Sequence, residues 1–235
     1  MKEKIYLLPG LMTDERLWQR LIPFLEEDYE LIHLSLPLTD DFKKASIELE
    51  NIIKDKKINL LGFSLGAYLA TYFTIRNPNR VNRLFLVAGT PSEMKKDEIE
   101  KRKQTLAQMN NLGFKGLSHK KVLSLIEESN KDDNELIDII KNMFTDLGHK
   151  VYNIQMNSTF NRKALHNELI SLNLPIRIFY STEDRLFTHK SLDNFTSAHK
   201  HITKVSRVGT SHMLPLEVPL QLSLEIRKWM KTNSI

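Results

Sequence analysis

The sequence predicts an α/β fold: a mostly parallel sheet with helices on both faces. Three observations carry that expectation. Short apolar runs of strand length alternate with helical patterns from Lys4 to Ala88, and again after Pro175. Between them, residues 93–170 hold charged helical patterns and no convincing strand. Three residues suited to chemistry, Ser64, Asp184 and His212, each follow a predicted strand. In such sheets, ligands bind beyond the carboxyl ends of the strands.

Taken in order, Lys4–Leu8 reads as a strand buried on both faces, closed by the loop Pro9-Gly10-Leu11-Met12. Thr13-Asp14 offers an N-cap for a helix through Glu26, with Trp18, Leu21, Ile22 and Leu25 on one face. Glu30–Leu36 is a second strand, ended by Pro37. Ile47, Leu49, Ile52 and Ile53 mark a short amphipathic helix. Ile58, Leu60 and Leu61 form the third strand, and a helix runs from Leu65 to about Arg76, before Asn77-Pro78. Arg83–Ala88 is the fourth strand. Then the rhythm changes. Helices are expected at Lys95–Asn110, Lys120–Asn130, Asp133–Leu147 and about Tyr152–Ile170, punctuated by Gly113, Gly116 and Gly148. The alternation resumes with strand Ile176–Tyr180, a helix from about His189 to Ser197, strand Ile202–Val208 and helix Leu220–Lys231. Residues 1–92 and 171–235 are therefore expected to form the core, and 93–170 a helical insertion.

Bulk properties bound the function. The chain has 235 residues and 41% hydrophobic content, enough for a sizeable core. Its formal charge of +5 comes from Lys residues interleaved with Glu and Asp along the chain. No basic stripe with interleaved aromatics is present, so nucleic acid is not an expected partner. The absence of cysteine excludes disulfides, thiolate metal sites and cysteine nucleophiles. The N-terminal apolar run is too short for a signal peptide and stops at Pro9-Gly10, and no apolar run reaches membrane-spanning length. A soluble cytoplasmic protein is the expectation.

The most informative stretch is Asn59–Ala70, in which strand and helix flank Gly62-Phe63-Ser64-Leu65-Gly66. A G-x-S-x-G pattern between strand and helix marks a sharp turn that holds a serine at a strained backbone position with its hydroxyl exposed. A Cβ at Gly62 or Gly66 would clash where strand and helix cross. The helix start behind the serine supplies N–H groups suited to a developing oxyanion. A serine hydroxyl needs a base, and the base needs a third group to orient it. Imidazole and carboxylate are the obvious choices, and Ser64, Asp184, His212 is the chain order of nucleophile-elbow hydrolases.

These residues together resemble the α/β-hydrolase family. Leu7-Leu8-Pro9-Gly10-Leu11 resembles its loop after the first conserved strand, with Pro9 where histidine is usual. Gly62–Gly66 is similar to its elbow, Ser181–Leu186 to its acid loop, and Val208–Met213 with Glu217-Val218-Pro219 to its histidine loop and following helix. The resemblance implies a six-stranded sheet in the order 2-1-3-4-5-6, with 93–170 as a helical lid inserted after the fourth strand. The antiparallel hairpin often found upstream in the family is not expected here. It implies Ser64 as nucleophile, His212 as base and Asp184 as orienting acid, with Glu183 the alternative acid. It places the oxyanion between the backbone N–H groups of Leu65 and Leu11, with Met12 as an alternative second donor.

The expected function is hydrolysis of a small or medium acyl ester through an acyl-enzyme, with no cofactor and no metal. The same scaffold also serves C–C bond hydrolases, lyases and cofactor-free haloperoxidases, and a non-catalytic binding protein is a further alternative. Phe63, Met12 and Met213 are candidate substrate-binding residues, with Met109 and Met143 as weaker ones; each also suits core packing. His199 and His201 are spaced like a metal pair but lack an adjacent carboxylate cluster. The remaining histidines, His33, His119, His149, His166 and His189, read as surface or hydrogen-bonded polar residues. Lys95, Lys96, Lys101, Arg102, Lys103, Lys115, Lys120 and Lys121 make a solvated helix face or a docking surface for an acidic partner. Pimeloyl-carrier methyl ester esterases resemble this chain in size, elbow and lid, so an acidic acyl-carrier protein is one such partner.

Overall fold

The computed structural model describes residues 2–232. Six strands form one sheet: β1 (Glu3–Leu8), β2 (Tyr29–His33), β3 (Ile58–Phe63), β4 (Val81–Val87), β5 (Ile176–Ser181) and β6 (Ile202–Arg207). All pairings are parallel, in the order β2-β1-β3-β4-β5-β6, as the family resemblance implies. Successive side chains on a strand point to opposite faces. Ile5, Leu7, Leu61, Phe63, Phe85, Val87 and Phe179 enter one apolar cluster, while Tyr6, Leu8, Leu60, Leu84, Leu86 and Ile178 enter the other. Both faces being covered, the central strands read as unbroken apolar runs.

Two helices of the second face are α1 (Phe42–Ile52) and α2 (Leu65–Arg76). Asp41 caps α1 by accepting the N–H groups of Lys43 and Lys44. Its buried stripe is Phe42, Ala45 and Leu49, whereas Ile47 and Ile52 are 41% and 52% exposed. The apolar face expected from Ile47 and Ile52 is therefore corrected: the packing selects the 3- and 4-residue spacing that begins at Phe42. No α-helix forms at 13–26. The chain there makes two short 3-10 turns, Glu15–Trp18 and Ile22–Phe24, the first capped by Asp14. Pro23 explains the correction, because it lacks the N–H of a continuing helix and its ring blocks the preceding turn. Trp18, Leu21 and Leu25 are still fully buried.

Between β4 and β5 lie α3 (Lys96–Leu112), α4 (His119–Leu123), α5 (Asn134–Phe160) and α6 (His166–Ile170). The helix expected over 120–130 is instead α4 and a separate 3-10 turn, Glu128–Asn130. Helix α5 is interrupted at Gly148, whose φ of 75° is open to glycine without a Cβ clash. The expected helix at 189–197 is a 3-10 turn, His189–Asn194. The chain closes with α7 (Leu214–Glu217) and α8 (Pro219–Met230), the latter bringing Trp229 onto Phe85. No described helix is long and apolar enough to cross a membrane.

The helical segment grips the loop that follows β6. The Leu125 carbonyl accepts the His212 N–H at 2.9 Å. The Glu127 carboxylate accepts the Thr210 and Ser211 N–H groups and the Thr210 hydroxyl, and pairs with Arg207. Glu217 returns the contact, accepting the Glu127 N–H and the Asn130 amide at 2.8 Å each, and the Ser211 hydroxyl. Burial alone pushes the Glu127 carboxyl up, but the Arg207 guanidinium and the loop's N–H groups outweigh it and lower it from 4.5 to about 2. At Glu217 the balance reverses, and burial pushes the carboxyl up.

A Cβ on Gly66 would lie 2.1 Å from the Pro9 carbonyl oxygen and 2.6 Å from that of Leu8. Gly66→Ala should therefore cost about 1–3 kcal/mol or more, since rigid backbone has to move. An unchanged urea midpoint would contradict this. Glu127 is depressed in the folded state, so its stabilisation is complete above 4.5 and is lost as pH falls toward 2. Glu127→Gln should accordingly lower stability most at neutral pH and flatten the acid limb between pH 4.5 and 2. Urea midpoints across that range would read it.

Candidate active site

The turn from β3 into α2 sets the position of Ser64. Phe63 ends β3 beside Val87 of β4, and the Ser64 N–H donates to the Val87 carbonyl at 2.9 Å. Ser64 itself has φ 52° and ψ −111°, and α2 begins at the next residue. Such a conformation costs about 1–3 kcal/mol in a non-glycine residue and persists only when its surroundings over-determine it. Here the glycines permit it. A Cβ on Gly62 would sit 2.4 Å from the Gly66 carbonyl oxygen, and one on Gly66 would meet the end of β1. The expected crowding at both glycines is thus observed. Helix α2 consequently starts with the N–H groups of Leu65 and Gly66 outside its own ladder.

The structure brings Ser64, His212 and Asp184 into one hydrogen-bonded line. His212 Nε2 lies 3.0 Å from Ser64 Oγ, and His212 Nδ1 lies 2.7 Å from Asp184 Oδ2. His212 and Asp184 are 5% and 2% exposed. A carboxylate facing Nδ1 holds the proton there and leaves the Nε2 lone pair for the hydroxyl. Asp184 Oδ1 accepts the Leu186 N–H at 2.9 Å, which fixes the carboxylate plane. The Ser181 hydroxyl donates to the Ser211 carbonyl at 2.7 Å and ties the two loops together. Phe63 packs its ring 5.2 Å from that of His212. Glu183 is exposed and points its N–H at the Gly209 carbonyl, so its carboxylate takes no part in this line.

The loop after β1 runs beside the serine, since a Cβ on Gly10 would touch the Phe63 ring at 2.8 Å and Ser64 Cβ at 3.1 Å. Of the two N–H groups considered there, Met12's is occupied, donating to Gln155 Oε1 at 2.7 Å. Leu11's has no hydrogen-bond acceptor among the described residues. Gln155 was invisible to sequence reasoning. It lies 143 positions away on α5, and an amide in a helix carries no signal of such a contact.

The apolar candidates separate in space. Met12 joins Leu106, Phe144, Tyr152 and Met156 in a cluster within the helical segment, with Phe114 stacked 5.5 Å from Phe144 and Met109 at its edge. Met213 and Met143 are core residues beneath the sheet's first face. His166 is buried and bonded to Ser191 at 2.6 Å, and His33 and His119 are exposed. His149 is bonded to Asn110, and His189 to the Asp184 carbonyl. His199 and His201 stand with ring centres 6.4 Å apart, and no group of three metal-ligating side chains occurs among the described residues. Behind the elbow helix, Arg162 donates to the Thr90 and Ser92 carbonyls and lies over the Tyr68 ring; burial lowers its pKa to about 10.

Comparison with known proteins agrees with this architecture. Residues 36–120 match the family model of the alpha/beta hydrolase fold. The biotin biosynthesis bifunctional protein of Teredinibacter turnerae is 30% identical over 105 residues, which cover 40% of this chain and 18% of that protein. The pimeloyl-[acyl-carrier protein] methyl ester esterase of Legionella pneumophila is 33% identical over 92 residues, 37% of this chain and 38% of the relative. The matches thus span less than half the length of these curated relatives. A thermophilic esterase from Thermogutta terrifontis superposes with a TM-score of 0.85 over 98% of this chain and 90% of that one, at 18% identity. The parallel order β2-β1-β3-β4-β5-β6, the serine turn between β3 and α2 and these matches make this chain an α/β-hydrolase-fold protein.

Proposed function

We propose that this chain is a serine hydrolase of acyl esters. The observation that carries the reading is the hydrogen-bonded line from Ser64 through His212 to Asp184, 3.0 Å and 2.7 Å, at the carboxyl rim of a parallel sheet. Ser64 Oγ attacks the acyl carbonyl carbon while its proton passes to His212 Nε2. The carbonyl oxygen takes the negative charge and is held by the Leu65 and Leu11 N–H groups. The tetrahedral species collapses, the bond between the acyl carbon and the alcohol oxygen breaks, and His212 returns the proton to the leaving alkoxide. Water then repeats the sequence on the acyl-enzyme, with His212 as base, and releases the acid. Asp184 keeps His212 in the tautomer that can accept and stabilises the imidazolium.

The finer reading concerns the acyl group. The cluster of Met12, Leu106, Phe144, Tyr152 and Met156 lies over the oxyanion loop and suits an apolar chain of small or medium length. Residues 93–170 act as the lid in this reading. On them, Lys95, Lys96, Lys115, Lys120 and Lys121 are exposed and have no carboxylate within ion-pair distance among the described residues. Lys101, Arg102 and Lys103 pair with Asp97, Glu98 and Glu100 of the same helix. The unpaired lysines suit an acidic acyl-carrier protein, the kind of substrate carrier named in the Legionella pneumophila relative.

Labelling and turnover test the reading. A fluorophosphonate should add covalently to wild type and leave Ser64→Ala unmodified by mass spectrometry. Ser64→Ala should lose at least about a thousandfold in kcat on p-nitrophenyl acyl esters. A folded wild type that ignores the probe and cleaves no ester would sink the proposal. For the carrier, Lys120→Glu with Lys121→Glu should raise KM for a carrier-bound ester about tenfold and leave a free methyl ester unaffected. Equal effects on both substrates would remove the carrier from the reading.

A further inference from the structure

We propose that Gln155, on the helical segment, is a positioning residue for the oxyanion loop; the catalytic part of this inference rests on the serine-hydrolase reading. The loop after β1 is a tight turn in which the Thr13 N–H reaches the Gly10 carbonyl at 3.3 Å and the Gly10 N–H donates to Thr13 Oγ1 at 2.7 Å. Its third residue, Met12, has φ 54°. That position in a turn of positive φ is ordinarily glycine's. Here it holds a side chain that is 2% exposed.

Something must hold a buried methionine in the left-handed region, and two contacts do. Its side chain packs in the cluster with Leu106, Phe144, Tyr152 and Met156. Its N–H donates to Gln155 Oε1 at 2.7 Å, and Gln155 is itself 5% exposed. Without that acceptor the Met12 N–H would be buried and unbonded, a state that native proteins avoid. The turn is thus pinned at Gly10 by Thr13 and at Met12 by Gln155. The peptide between the pins carries the Leu11 N–H, whose direction both pins set. The side-chain hydrogen bond of Gln155 among the described residues goes to this loop and not to Ser64, His212 or Asp184. It makes the docked position of α5 a condition for an organised oxyanion site. The contact lies beyond the Gly148 break, so the second half of α5 carries it.

The experiment combines two readouts on the full chain. Amide hydrogen exchange at Met12 reports the contact without any need for catalysis. Steady-state kinetics on a p-nitrophenyl ester report its consequence. Gln155→Leu should speed exchange at Met12 at least about tenfold, with the amides of β3 unchanged. It should lower kcat about ten- to a hundredfold with KM within about twofold, the pattern of a defect felt in the transition state. Gln155→Glu, which keeps an acceptor oxygen, should restore most of both. If Gln155→Leu does not fold, Gln155→Asn withdraws the oxygen by one methylene and carries the same expectations. Unchanged Met12 exchange overturns the contact. Full kcat in an active Gln155→Leu enzyme, or a loss confined to KM, overturns the positioning role. A wild type inert to fluorophosphonate refutes the hydrolase reading instead, and the exchange data still decide whether Gln155 holds the loop.

Discussion

The close crossing of α2 over the ends of β1 and β3 is the constraint on which the rest of the molecule depends. There is no room in it for a Cβ at either glycine of the elbow. The same crossing forces Ser64 into a φ of 52° and turns its hydroxyl out of the sheet toward His212. It also decides what lies around the serine. The loop after β1 and the β4–Gly89 segment both approach it, and a Cβ on Gly89 would meet the Ser64 carbonyl oxygen at 2.7 Å. The helix start then points unbonded N–H groups at the same small volume. The local strain is maintained by the sheet, whose central strands are buried on both faces.

The helical segment between β4 and β5 grips two of the loops at the carboxyl rim of the sheet. Through Leu125, Glu127 and Asn130 it holds the loop and the short helix that carry His212 and Glu217. Through Gln155 it holds the loop that carries Leu11. The two grips differ in chemistry. The first uses carboxylates, one depressed by an arginine and N–H donors and one raised by burial, so it responds to acid. The second uses a neutral amide and does not titrate. Outside these contacts the segment is charged; Lys101, Arg102 and Lys103 on α3 pair with carboxylates, as does Lys131 with Glu128, while several lysines face solvent without partners among the described residues.

Much of the fold could be read from local pattern. The apolar runs Ile5–Leu8, Ile58–Leu61 and Arg83–Val87 are strands, and the helix after Ser64 spans Leu65–Arg76. The misreadings each have a physical cause. Pro23 broke a helix that the periodic Trp18, Leu21, Ile22 and Leu25 suggested. In α1, two isoleucines stand in solvent because Phe42 docks on Tyr68, with ring centres 4.6 Å apart, and sets the buried face. Met213, adjacent to His212 in the chain, is 2% exposed and packs in the same apolar cluster as Phe63. Adjacency along a backbone does not give the direction of a side chain.

The sequence by itself determined the order of strands and helices, the elbow and the three residue types that chemistry would need. Periodicity, glycine placement and residue type are local quantities, and they are written in neighbouring positions. Only the tertiary structure decided that Asp184 rather than Glu183 faces the imidazole, and that Met12's N–H is taken while Leu11's is not. It alone disclosed Glu127 and Gln155. These are long-range hydrogen bonds, 83 and 143 positions apart, and nothing in the local pattern around either residue records where its partner lies.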